Sequence, residues 1–164
     1  MDSTKTNLHG ISSVWNVWVH MPNERNWDIN SYRSVANINT LEEAIEFSEL
    51  ISDISINKCM VFIMREGILP MWEDKMNIDG GAFSFKVTQK SVPTTFRRML
   101  YRLVGSTLSD NMNKVHGISI SPKKQFSILK VWVGSDAETM KICEAEDMSV
   151  KGTKAMYRRH KTGS

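Results

Sequence analysis

Cysteine is scarce in this chain, and the two present, Cys59 and Cys143, have no Cys-x-x-Cys spacing. That argues against a disulfide framework and suggests no zinc knuckle. No apolar run approaches the roughly 20 residues that cross a bilayer. The polar start MDSTKTNLHGISS lacks the apolar stretch of a secretory signal. A reducing compartment is expected, with the cytoplasm as the assignment. No internal repeat, low-complexity tract or linker-like boundary interrupts the chain. The marks of catalysis are missing too. No Ser or Cys sits in a nucleophile elbow. Glu73 and Asp74 are neighbours in an extended segment, so they point opposite ways rather than forming an acid–base pair. A nucleotide-processing enzyme is therefore a remote alternative, and neither cofactor nor metal is implied.

What is present suits one globular domain. The 164 residues support a single core, and 41% hydrophobic with 24% charged residues is far from a disordered composition. Residues 1–13 read as a flexible arm and 14–164 as one domain with a basic tail. The net charge of +3 is modest, but Lys151, Lys154, Arg158, Arg159 and Lys161 crowd the end with no acid among them. Most such tails are simply solvated; a phosphate-facing edge has the same composition.

Alternation in VWNVWVH (14–20) predicts a strand with Trp15, Val17 and Val19 on one face and Asn16, Trp18 and His20 on the other. A short strand is expected at 32–38. Thr40-Leu41-Glu42-Glu43 spells a capping box opening a helix to about residue 50–52, with Leu41, Ala44, Ile45, Ser48 and Ile51 near one stripe. CMVFIM (59–64) reads as a buried strand and AFSFKVT (82–88) as an alternating one. Pro93 opens a second helix to about Val104 with Gly105 as its stop. Phe96, Met99, Leu100 and Leu103 form its core stripe, and Arg97, Arg98 and Arg102 its exposed side. Residues 115–121 and 126–133 form a hairpin about PKKQ, with Ile128, Lys130 and Trp132 facing away from Leu129, Val131 and Val133. A third helix over 136–147 and a last strand near 153–160 complete an α+β fold: an antiparallel sheet with helices on one face. The other face is left for solvent or a ligand.

Five tryptophans stand at positions 15, 18, 27, 72 and 132. Trp15 and Trp18 read as structural. Trp27 and Trp72 sit in polar loops, NERNWDIN and ILPMWEDKM, where an unburied indole costs solubility unless it meets a partner. If the two rings face each other, a cationic aromatic plane between them gains about 0.5–2 kcal/mol from each. Glu73 then lies at the edge of that plane, where a carboxylate accepts two adjacent N–H donors such as guanine N1 and N2. Lys123, Lys124 and Lys130 are candidate phosphate ligands. Together these describe a receptor for a guanine nucleotide alkylated at N7.

PMWED followed by N-x-x-GG, with Trp15-x-x-Trp18, Trp27, Trp132 and the Thr40–Glu43 helix start in that order, resembles the eukaryotic translation initiation factor 4E family over residues 9–133. The resemblance implies binding of the messenger RNA 7-methylguanosine cap in translation initiation. It implies a strongly curved antiparallel sheet with about three helices on the convex face and the ligand slot on the concave face. Trp27 and Trp72 would be the stacking rings, Glu73 the guanine acceptor, Trp132 the contact to the N7 methyl, and Lys123 the replacement for a phosphate-binding arginine. Tyr157 and His160 match a Tyr-x-x-His element near the slot.

The departures are specific. Ile128 stands where the family has a phosphate-binding lysine, with Lys130 two residues on, and Ala82 replaces an arginine after the paired glycines. The convex partner surface carries Ile45 in place of a Trp and Arg97 and Arg98 in place of a Leu-Glu pair, while Leu41 and Tyr101 keep apolar positions. Losing a Trp anchor and adding two cations weakens that contact. The expected partners are capped messenger RNA and either a scaffold 4G-like protein or a different protein on the helical face. A cap-binding competitor that represses translation is the alternative. Unspecific single-strand binding predicts aromatics spread along a groove rather than two Trp loops around a carboxylate.

Overall fold

The computed structural model describes residues 8–51, 58–142 and 155–161. Strands β1 (Gly10–His20), β2 (Tyr32–Thr40), β3 (Met60–Arg65), β4 (Gly81–Thr88), β5 (Val115–Pro122), β6 (Phe126–Val133) and β7 (Met156–Arg159) form one curved antiparallel sheet in the order β2-β1-β3-β5-β6-β4-β7. Helices α1 (Leu41–Leu50) and α2 (Val92–Val104) pack on its convex face.

Alternation along each strand separates the two faces. Trp15, Val17, Ile63, Phe83, Phe85, Val87, Ile118, Ile120, Leu129, Val131 and Val133 enter one core with Phe96, Met99, Leu100 and Leu103 of α2, all essentially inaccessible. The opposite faces line up across the sheet by register: Trp18 beside Phe62, Phe62 beside Ser119, and Ser119 beside Lys130. One row nearer the far strand ends, Met64, Gly117, Trp132 and Ala82 are successive partners.

Strand β1 begins at Gly10, which pairs with Thr40, so residues 10–13 belong to the sheet rather than to the arm. Residues 1–7 of that arm, and 151–154 and 162–164 of the basic tail, lie outside the described residues. The Thr40 hydroxyl accepts from Glu43 N at 3.1 Å as the capping box requires, but the Glu43 carboxylate reaches Asn39 N instead of Thr40 N. In α1 only Ala44 and Ser48 are buried, while Leu41 and Ile45 face solvent. The apolar stripe is thus split between core and surface.

The expected third helix is corrected. The two α-helices that lie wholly within the described residues are α1 and α2, and 136–142 forms turns ending in an isolated bridge between Ser109 and Ile142. Asp136, the first residue of that span, adopts φ +56°, outside the right-handed helical region, so the expected first turn does not start there. Residues 143–147 of that expectation lie outside the described residues.

Candidate binding site

Two loops rise over the concave face, each carrying an exposed indole. The first follows β1. Its turn is closed by Glu24 N donating to Met21 O, and the Glu24 carboxylate accepts from Asn26 N at 3.0 Å. His20, buried on the sheet, bonds Asn26 O through Nε2 at 2.9 Å, which places the ring proton on that nitrogen. Trp27 then stacks flat on His20, centroids 4.0 Å apart and planes within 3°. Tyr32, the register partner of His20, meets Trp27 edge-on at 6.4 Å and Phe62 at 5.4 Å. Trp27 is therefore backed from behind and beside, yet stays 54% exposed.

The second loop joins β3 to β4. Gly67 turns it at φ +85°. The Asp74 carboxylate folds inward, accepting from Leu69 N at 3.0 Å and Met76 N at 2.8 Å. Asn77, fully buried, donates to Leu69 O at 3.1 Å and Met71 O at 2.8 Å, and its Oδ1 accepts from His116 Nδ1 at 2.9 Å. Burial foremost, then the charge of Arg65, pushes the His116 pKa down to about 4 against the pull of Asp74. The ring is neutral and must carry its proton on Nδ1 to satisfy Asn77. Asp74 thus belongs to the loop's framework, and Glu73 beside it is left exposed at the cavity.

Between the loops lies a cavity of about 210 Å³. Trp27 and Tyr32 line one side, Pro70, Met71, Trp72 and Glu73 the other, and Met60, Phe62, Lys130 and Trp132 the floor. Trp132 is fixed by donating Nε1–H to Ser119 Oγ at 2.9 Å. His160 leans on it at 4.8 Å from the chain's last described segment. Burial first, then Lys130, pushes the His160 pKa down to about 4, and its buried Nε2 has no hydrogen-bond partner among the described residues. Lys130 is half-buried, and burial, then the charges of Lys123 and Arg158, lowers its pKa. An anion placed there would relieve that cost. Burial, then the charge of Glu73, raises the Tyr32 phenol to about 12, so it keeps its proton and offers a donor to the cavity.

The structure brings together Trp27, Trp72, Glu73, Lys130 and Trp132. Lys123 lines an adjoining cavity instead, and Lys124 lines neither; its carbonyl accepts from Gln89 Nε2 at 2.7 Å. Sequence reasoning missed Tyr32 and Phe62, whose role follows from strand register, and the His20 and Asn77 supports. On the convex side Leu41, Ile45 and Tyr101 are each about 40% exposed. Ser48 joins the helices there: its hydroxyl donates to Ile45 O and accepts from Tyr101 Oη at 2.6 Å, while Arg97 Nε donates to Ser48 O at 3.3 Å. Arg97 and Arg102 are half-buried rather than exposed; Arg98 is exposed.

A family model described as Eukaryotic initiation factor 4E matches residues 10–162. Eukaryotic translation initiation factor 4E of Candida albicans is 28% identical over 134 residues, covering 76% of this chain and 64% of its own length. A homolog of the factor from Acanthamoeba polyphaga mimivirus is 25% identical over 118 residues, covering 62% of this chain and 43% of its own. The chain thus spans less than two thirds of either relative. Among solved structures, Ascaris suum eIF4E-3 with an m2,2,7G cap superposes with a TM-score of 0.76 at 21% identity, over 96% of this chain and 94% of that one. Caenorhabditis elegans eIF4E-3, solved with the 4E-binding protein Mextli and a cap analog, gives 0.72 at 19% identity, over 80% and 78%. At those identities the likeness concerns the fold.

Proposed function

The chain belongs to the eukaryotic initiation factor 4E family, and from that premise we propose that it binds the 7-methylguanosine cap of messenger RNA and acts in translation initiation in the cytoplasm. The observation that carries the proposal is one cavity holding two exposed indoles, an exposed carboxylate and a lysine. Methylation at N7 gives guanine a positive charge. Between Trp27 and Trp72 that charge gains about 0.5–2 kcal/mol from each ring face, and unmethylated guanine forgoes most of it. Glu73 accepts the N1 and N2 protons side by side. Trp132, rigid on Ser119, closes on the methyl group. Lys130 meets the first phosphates and Lys123 those further out, with Lys124 free to adjust from the turn. The work is recognition, without bond making.

On the helical face, Leu41, Ile45 and Tyr101 form the docking surface for a partner protein, with Arg97 and Arg98 at its border. A scaffold 4G-like protein is one candidate. The missing Trp at position 45 and the two arginines favour a second reading, a cap-binding competitor that recruits a different protein or none.

Tryptophan-fluorescence titration with 7-methyl-GTP beside GTP tests the slot. The methylated nucleotide should quench emission and bind far more tightly. Trp27→Ala and Trp72→Ala should each abolish the preference, and Glu73→Ala should cost about 1.5–3 kcal/mol by leaving two donors unpaired. Full preference retained in both tryptophan variants would sink the stacking reading.

A further inference from the structure

A second cavity, of about 230 Å³, lies across Trp27 from the first. The two share Trp27 and Met60 as walls, and the far cavity also contains His20, the ring stacked behind Trp27. Its cations are Lys58 and Lys123, and Ser121 adds a hydroxyl. Met21, Pro22 and Pro122 give it apolar walls. Glu24 is its carboxylate; one oxygen holds Asn26 N, and the other has no hydrogen bond among the described residues.

Two observations join the cavities electrically. Lys130 opens into the first and Lys123 into the second, and Lys123 is the charge that most disfavours the Lys130 ammonium after burial. The two ammonium groups thus face one stretch of surface. A polyanion leaving the first cavity gains from both and is led past Trp27 to Lys58.

The lining then limits what the second cavity takes. The first cavity is walled by Trp27, Trp72 and Trp132, whereas the second, of similar size and open to solvent, has Trp27 alone, so it is the poorer trap for an independent molecule. A group tethered to an occupant of the first cavity is different. Its effective concentration is in the millimolar range, so a weak subsite fills.

We propose that this second cavity holds the nucleotide joined to the cap by its triphosphate, with Lys58 and Lys123 on its phosphates, the Met21, Pro22 and Pro122 walls against its base, and Glu24 and Ser121 on its polar edges. The inference rests on the cap-binding reading of the first cavity. The protein then reads a capped RNA end as a unit rather than a methylated base alone.

Lys58 is exposed and lines only the second cavity, so Lys58→Ala separates the two sites. Ser121→Leu, which fills the second cavity with carbon, is the companion variant. The full chain and both variants are titrated with 7-methyl-GTP, with a capped trinucleotide, and with the same trinucleotide bearing an uncapped 5′ triphosphate. Both variants should weaken the capped trinucleotide about three- to tenfold, the scale of a tethered subsite, while 7-methyl-GTP affinity changes less than twofold. Lys58→Ala should also flatten the salt dependence for the capped trinucleotide by about 0.7 in log–log slope, one single-strand phosphate contact. Normal 7-methyl-GTP binding with no selective loss for the capped RNA in either variant overturns the second site and leaves the cap reading standing. Equal weakening of both ligands by Lys58→Ala overturns it as well, because the lysine then acts as diffuse charge. Failure of the unmodified protein to bind 7-methyl-GTP fells the cap reading and this inference together.

Discussion

Removing the Asn77 side chain tests how the Trp72–Glu73 loop is held. Asn77 has no exposed surface and makes three side-chain hydrogen bonds, two to carbonyls of its own loop and one to His116. Asn77→Ala leaves the His116 Nδ1–H without an acceptor at a site 6% exposed, at about 1–3 kcal/mol. Met71 O, half-buried, loses its donor too, whereas Leu69 O lies at an exposed residue and regains water. The sum is about 2–4 kcal/mol, which for a domain of this size lowers Tm by roughly 5–15 °C. Asn77→Asp should be worse at pH 7, since its second oxygen would face the Leu69 and Met71 carbonyls instead of donating to them. Urea unfolding gives the stability, and 7-methyl-GTP titration under folding conditions gives the coupled loss of affinity as Trp72 and Glu73 loosen. If Asn77→Ala stays within about 0.5 kcal/mol of the parent with unchanged affinity, these bonds do not hold the loop.

The remaining predictions concern the frame around the slot. His116 and His160 are both pushed down to about 4, mainly by burial. The unfolded chain, titrating near 6.5, therefore takes up protons that the folded state refuses between about pH 6.5 and 4. Stability should be full above that window and fall as pH drops through it, by at most about 1.4 kcal/mol per pH unit per histidine and less for the partly solvated His160. Urea midpoints across pH 7.5 to 4.5 check this, and a flat profile refutes it. Gly81→Ala should loosen β7, because a Cβ there runs into Arg158 O and lies 2.7 Å from the Tyr157 ring. The readout is changed emission from Trp132 as His160 lifts away, together with lower stability. Arg65→Met should cost about 3 kcal/mol: its guanidinium lies 4.6 Å over the Trp15 ring and donates to Met112 O and Val115 O at 2.8 Å. Unchanged chemical unfolding would show those carbonyls to be hydrated instead.

Most of the sheet was legible because alternation is local. Phe83, Phe85 and Val87, and Leu129, Val131 and Val133, occupy the core as their spacing says, and the hairpin about 122–125 follows from its turn residues. Helix α1 was read less well. Its apolar residues spread around more than one face, and spacing alone does not show which face meets the sheet. The third helix failed at Asp136, where a backbone conformation overrides side-chain pattern. In the site, Trp27, Trp72 and Glu73 stand out because indoles and a carboxylate in polar loops have few other uses, and Lys130 and Trp132 because they share the face of β6 turned from the core; all five line one cavity. Their supports were not legible. His20 and Tyr32 meet only through the β1–β2 register, and Asn77 meets His116 39 residues away. Neither pairing leaves a local signal.

The alternation that made the strands legible also decides what the convex departures can affect. Each strand residue commits to one face, so β6 gives Leu129, Val131 and Val133 to the helices and Lys130 and Trp132 to the slot. Ile45 lies on α1 and Arg97 on α2, and both meet Ser48 at the junction between the helices. To reach Trp27 or Glu73, a change there must pass through a core that holds Leu129 and Val131 with no exposed surface. Such packing resists graded deformation. Altered partner choice on the convex side is therefore compatible with an intact slot, and the two properties call for separate measurement.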